Sequence, residues 1–221
     1  MRTPADQRAR PRVWLFDLDD TLHNASAHIF PHINAAMTAY VAEHLQVDEA
    51  EANRLRMDYW QRYGATLTGL MRHHGTDPHH FLWHTHQFPR FHEQLVFDGA
   101  IRSVLRNLPG KKIVFSNAPQ HYADRVLKTM GIRQWFDDVW CLEQLRFVPK
   151  PFAASFHRLL HKKKLRATDC IMVEDSLPNL ETARKLGMKT VWITRRPGKP
   201  GWVDVKLGSV LALPRKLGQG L

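Results

Sequence analysis

Residues 13 to 21 read Val-Trp-Leu-Phe-Asp-Leu-Asp-Asp-Thr, an apolar run that stops in three acids within four positions. The unbroken apolar part suits a strand covered on both faces of a sheet. Carboxylates crowded at a strand end repel one another, so the pattern implies a cation that holds them together. In open α/β sheets, ligands bind at the carboxyl ends of the strands. One stretch thus predicts both a buried parallel sheet and a metal-dependent site.

The remainder of the chain divides in two. From residue 24 to 96 the periodicity is helical. Ile29, Ile33, Met37, Val41 and Leu45 recur at i, i+4 spacing, and Asp48 with Glu51 resembles a capping box opening a second helix that Gly64 ends. Leu67, Leu70 and Met71 mark a third helix ending at Gly75, and Asp77-Pro78 supplies the N-cap and first residue of a fourth. From Phe97 strands and helices alternate. Strands are expected at 112–115, 139–142, 170–173 and 190–193, with helices at 99–108, 119–131, 152–161 and 178–186, and a last strand and short helix at 203–205 and 210–213. Such alternation makes a parallel sheet wrapped by helices. The expected fold is α/β, a Rossmann-like core (11–23 and 97–215) with an inserted all-helical cap (24–96), a basic disordered tail at 1–10 and a second tail at 216–221.

In 221 residues, no apolar stretch approaches the roughly 20 residues of a membrane span. The segment MRTPADQRARPR lacks the apolar core of a secretory signal. Cys141 and Cys170 lie in apolar runs without a CxxC partner, which points to buried free thiols and a cytoplasmic location. The net charge of +11 suits either nucleic acid or small phosphorylated anions. The basic residues are dispersed and no RNP, zinc-finger or helix-turn-helix signature accompanies them, which favours the anions. A monomer or dimer is expected.

Four features fall at predicted strand ends: Asp17, Asp19, Asp20 and Thr21; Ser116-Asn117; Lys150 between two prolines; and Glu174-Asp175. A parallel sheet gathers all four at one edge. Two carboxylates and a backbone carbonyl suit Mg²⁺, which prefers oxygen ligands. A carboxylate can attack phosphorus, a second can move protons, and a lysine and a hydroxyl can hold phosphoryl oxygens.

These residues carry a resemblance to the haloacid dehalogenase (HAD) superfamily. Asp17, Asp19 and Thr21 match its first motif, D-x-D-x-T; Ser116 matches the second, Lys150 the third and Glu174-Asp175 a form of the acidic fourth. The resemblance spans residues 11 to 195. It implies Asp17 as nucleophile, Asp19 as general acid/base, and a Mg²⁺ held by Asp17, the Asp19 carbonyl and Asp175, with Glu174 assisting. It also implies that the helical insertion is a C1 cap. Asp20 is expected to have no catalytic part.

Relatives that dehalogenate lack the second Asp, so Asp19 implies phosphoryl transfer to water. A phosphonatase would need a lysine from the cap, and residues 24–96 contain none. A narrower similarity, to the pyrimidine 5′-nucleotidase group, rests on Tyr63-Gly64-Ala65-Thr66-Leu67, His74-Gly75, Asp77-Pro78, Ser116-Asn117-Ala118 and Asp175-Ser176-Leu177-Pro178-Asn179. It implies nucleoside monophosphates such as UMP or CMP as substrates. Asn117 would contact the phosphate or the nucleophile region, and Tyr63 or Thr66 the base or ribose, unless both are cap core. A sugar-phosphate phosphatase or mutase, and a non-catalytic nucleic-acid-binding protein, are the alternatives. His73, His74, His79, His80, His84 and His86 cluster in the cap. His80 and His84 have the spacing of a helical metal pair, although a His-rich polar face is the simpler reading.

Overall fold

A computed structural model describes residues 12–217. The expected tail at 1–10 lies outside the described residues, as do 218–221; the last helix runs to Leu217, two residues past the expected core boundary.

Six parallel strands form one sheet in the order β3-β2-β1-β4-β5-β6, with β1 Val13–Phe16, β2 Lys111–Phe115, β3 Asp138–Trp140, β4 Cys170–Glu174, β5 Lys189–Ile193 and β6 Val205–Leu207. The chain adds β2 and β3 on one side of β1, then crosses to add β4 to β6 on the other. That reversal makes β1 and β4 the switch point, where a crevice opens beyond the strand ends.

Alternation along β1 sends Trp14 and Phe16 to one face and Val13 and Leu15 to the other. The first face is covered by α6 Ile101–Asn107, α7 Gln120–Met130 and α10 Leu213–Leu217, the second by α8 Ala153–Lys163 and α9 Leu177–Lys185. Both faces are dry, which explains the unbroken apolar reading of β1.

Between β1 and β2 the chain forms α1 Ile29–Leu45, α2 Glu49–Tyr63, α3 Thr66–His74, α4 Pro78–Thr85 and the short α5 Phe91–Gln94. The first four have their own core, including Tyr40, Val41, Tyr59, Leu70 and Phe81. Asp48 accepts from Glu51 N at 2.8 Å, and Asp77 accepts from His80 N at 2.8 Å, as N-caps do. Gly64 (φ 74°) ends α2 in the left-handed region. The base of the insert is closed where Asn24 N bonds Val96 O at 2.8 Å.

Two strands are displaced from expectation, and β2, β4 and β5 each run one residue longer. The third is shifted to Asp138–Trp140 because Cys141 N turns to Gln144 Oε1 and Leu142 N to Ala118 O, leaving the ladder. The last begins at Val205, not 203, because Asp204 is spent bridging to β5. Its carboxylate accepts from Thr190 N and Oγ1, and its N–H donates back to Thr190 Oγ1.

Candidate active site

Asp17 follows β1 directly, and its N–H still pairs with Val173 O at 3.0 Å, so its side chain leaves the sheet edge beside β4. Lys150, on the loop before α8, reaches the same point. Its ammonium is buried and donates to Asp17 Oδ1 at 2.8 Å and Glu174 Oε2 at 2.7 Å. Burial acts to lower the Lys150 pKa, but the two carboxylates outweigh it and raise it above the ordinary lysine value. The same burial, with Glu174 beside it, raises the Asp17 carboxyl against the opposing pull of Lys150. Asp175 is raised by burial, then by Glu174 and Asp17.

Glu174 is the best-satisfied acid of the group. Oε1 accepts from Asp175 N (3.2 Å) and Ser176 N (3.1 Å), and Oε2 from Lys150 and from Asn179 Nδ2 (3.0 Å). The backbone of Asp175 is pinned from β5 by Trp192 Nε1, 2.8 Å from Asp175 O. Asp17, Glu174 and Asp175 each offer a carboxylate oxygen within 4.8 Å of the others, the one such group of metal-ligating side chains among the described residues. Hard oxygen donors whose protonation is favoured by mutual repulsion are the donor set that Mg²⁺ neutralises, so these residues fit that ion.

Asp19 is oriented by two residues that no sequence motif announced. Its Oδ1 accepts from Tyr122 Oη at 2.6 Å and from His23 Nε2 at 2.9 Å. Both donors fall on the same oxygen, and among the described residues Oδ2 has no protein donor. Burial and the adjacent Asp19 push the Tyr122 phenol well above its ordinary pKa, so it stays a donor. His23 Nδ1 is buried without a partner. Only the i, i+4 spacing of His23 from Asp19 hinted at this pair; Tyr122, from α7, gave no signal.

Asp17, Asp19, Ser116, Asn117, Glu174 and Asp175 line one cleft of about 590 Å³, between the strand ends and the helical insert. Ser116 is buried, and its Oγ accepts from Ala118 N at 3.0 Å. Asn117 has both ends of its amide on the backbone of Lys150: Nδ2 to the carbonyl at 2.9 Å and Oδ1 from the N–H at 2.8 Å. Its side chain therefore clamps the loop of the lysine that pairs with Asp17, the second of the two contacts the sequence left open for it.

Thr21 sits differently from expectation, Asp20 takes no part in the cleft, and Tyr63 and Thr66 divide between the two readings open to them. Asp20 takes a left-handed φ of 59°, held by Ser26 N at 2.8 Å and by Ser26 Oγ. That turn sends Thr21 away from the cleft into a separate groove, so Thr21 is not among the cleft residues. Tyr63 is likewise outside the cleft, with its hydroxyl hydrogen-bonded to His73 Nε2 at 2.7 Å. Thr66 does line the cleft, but its hydroxyl donates to Arg56 O at 3.0 Å and ties α3 to α2. Two histidines of the helical insert pair with tyrosines: His74 with Tyr59 (2.6 Å) and His80 with Tyr40 (2.8 Å). Among the described residues no third ligand joins His80 and His84.

The sequence profile of the haloacid dehalogenase-like hydrolases matches residues 14–193. The chain belongs to that family. Phosphate metabolism protein 8 of Saccharomyces cerevisiae is 26% identical over 198 residues, 80% of this chain and 60% of the yeast protein. The chain thus spans under two thirds of that relative's length. The HAD phosphatase of Thermococcus onnurineus superposes with a TM-score of 0.66 at 21% identity, covering 94% of this chain and 98% of that one. The 2-haloacid dehalogenase of Pseudomonas syringae gives 0.62 at 20% identity (96% and 100%), and magnesium-bound YfnB of Bacillus subtilis 0.60 at 19% (94% and 99%). These structural likenesses establish the fold. Among the described residues no helix is long and apolar enough to cross a membrane.

Proposed function

We propose that this protein is a Mg²⁺-dependent phosphomonoester hydrolase that works through an aspartyl-phosphate, with nucleoside 5′-monophosphates, pyrimidine ones such as UMP and CMP, as substrates. The observation that carries the reading is Asp19: a carboxyl group two residues beyond the Lys150-paired Asp17, held by one oxygen with the other unengaged. A halide leaves without a proton, whereas an alkoxide needs one. An oriented proton donor beside the nucleophile therefore favours ester cleavage over dehalogenation.

In the first step Asp17 attacks phosphorus as the ester P–O bond breaks, and Asp19 Oδ2 passes its proton to the departing oxygen. Water then attacks the acyl phosphate and gives a proton back to Asp19, which restores the Asp17 carboxylate and releases phosphate. Ser116 and Lys150 face the phosphoryl oxygens, where the charge of the transition state collects. Asp17 and Asp175, with the Asp19 carbonyl, would hold the metal, and Glu174 anchors Lys150 rather than leading the coordination, since four donors already fill its oxygens. When bound, Mg²⁺ neutralises the crowded carboxylates and polarises the phosphoryl group. The helical insert serves as the cap, and the cleft has the size usual for a small metabolite. The names of the yeast relative and of the archaeal phosphatase support phosphate chemistry. A cytoplasmic location belongs to the same proposal and is supported by two buried free thiols.

A phosphate-release screen over nucleotides and sugar phosphates with Mg²⁺, comparing wild type with Asp17→Asn, tests it. Release from UMP and CMP by wild type alone is expected. Equal inactivity of both proteins on every ester would overturn the phosphatase reading, and preference for sugar phosphates would overturn the nucleotidase one.

A further inference from the structure

Part of the wall of the cleft that the acids line is built by two helix faces. On α1, Phe30, Asn34 and Met37 recur at helical spacing; on α2, Arg56, Met57 and Trp60 do the same. Most of this wall is apolar. Phe30 is 36% exposed and Trp60 55% exposed, large aromatic faces that helices in a packed insert normally cover. Set among them is a single guanidinium. Arg56 Nη1 donates to Asn34 Oδ1 at 3.0 Å, and Nε and Nη2 share Asn53 Oδ1 at 3.3 and 3.0 Å. Its backbone is fixed by the Thr66 hydroxyl.

Among the described residues Arg56 makes no ion pair. Neutral amide oxygens position it without cancelling its charge, and three of its five N–H groups are used. Two donors therefore remain, in a half-buried cation on a mostly apolar wall.

We infer that Arg56, with Trp60 and Phe30, forms the subsite for the leaving group and accepts a flat ring that carries hydrogen-bond acceptors, a nucleobase. The inference rests on the phosphomonoesterase reading and adds how the substrate is chosen. An arginine offers donors only, so its partner must present acceptor atoms such as ring carbonyls. Aromatic faces accept a ring by stacking, worth roughly a tenfold or greater preference per base in other nucleic-acid sites. A sugar phosphate lacking a base would leave the aromatic faces uncovered and the two donors unpaired.

The test compares UMP with ribose 5-phosphate, which shares the ester and the ribose but has no base. The readout is the ratio of kcat/KM for the two, in wild type, Arg56→Ala and Trp60→Ala. Arg56→Ala should lower that ratio roughly 10- to 100-fold, the size of a hydrogen bond from a charged donor, chiefly through KM for UMP. Trp60→Ala, a change at an exposed position that leaves the insert core intact, should lower it as well. An unchanged ratio in both variants overturns the inference even when UMP is hydrolysed. Selective loss in Arg56→Ala of esters bearing a second anionic group, such as phosphoglycerate, also overturns it, because the guanidinium would then read charge. No hydrolysis of UMP by wild type, alongside turnover of other esters, is instead the failure of the nucleotidase reading.

Discussion

The Tyr122 hydroxyl lies 2.6 Å from Asp19 Oδ1, reaching from a helix on the sheet face to a loop beyond the central strand. His23 Nε2 donates to the same oxygen, so the carboxyl group is fixed in rotation and its second oxygen faces its work alone. With both contacts on one atom, the proposed mechanism assigns the transferred proton to the other oxygen.

Tyr122→Phe keeps the ring and removes the donor. Its kcat on phosphate esters should fall roughly 10- to 100-fold with KM little changed, as expected of a lost bond to an ionisable acceptor that acts in the chemical step. Steady-state kinetics check this. A rise in KM at constant kcat would mean that Tyr122 shapes the cleft instead of orienting Asp19.

Lys150 is the counter-charge of two buried carboxylates. Lys150→Met should cost roughly 3–5 kcal/mol of stability, because it strands Asp17 and Glu174 against each other. Adding Glu174→Gln should recover part of that loss, read as the denaturation midpoints of the two variants. Additive losses would mean that the pair is not coupled through the lysine.

Much of this was legible in advance. The central strand announced itself because both of its faces are buried, and the motif acids because carboxylates at a strand end have no packing use. Helix ends in the insert followed from Asp48, Asp77 and Gly64, whose capping roles are local. What stayed hidden depends on contacts distant in sequence. Tyr122 meets Asp19 across 103 positions, and the amide of Asn117 meets the backbone of Lys150 across 33. Thr21 was misplaced because the left-handed turn at Asp20 cannot be read from composition. Arg56 belongs to no motif, and only its spacing with Asn53 and Trp60 along one helix marked it.

Burial lowers the His86 pKa to about 4; Asp19 opposes the shift, and the neighbouring His121 and His32 add to it. The Tyr122 ring packs against it as well. The unfolded chain binds a proton near pH 6.5 and the folded one does not until about 4, so stability falls as pH drops through that window, by about 3 kcal/mol in all. Asp17 and Asp175, whose pKa values are raised, act in the opposite sense but are shared by the comparison protein. His86→Gln should flatten the acid side of the melting-temperature profile relative to wild type. Parallel profiles would contradict the assignment.

A Cβ placed on Gly69 would sit 2.2 Å from Tyr59 Cγ, so α2 and α3 approach as closely as they do only because position 69 has no side chain. Gly69→Ala should cost roughly 1–3 kcal/mol by overpacking. Thermal melting reads it directly, and a neutral result would mean that the two helices separate freely.

The most direct test of catalysis by Asp17 is a rapid acid quench with UMP labelled at phosphorus, followed by peptide mapping. Label should appear transiently on the peptide bearing Asp17, form far more slowly in Asp19→Asn, which lacks the proton the leaving alkoxide needs, and be absent from Asp17→Asn. Turnover with no protein-bound label, together with wild-type rates of phosphate release by Asp17→Asn, would contradict an aspartyl-phosphate and the function built on it.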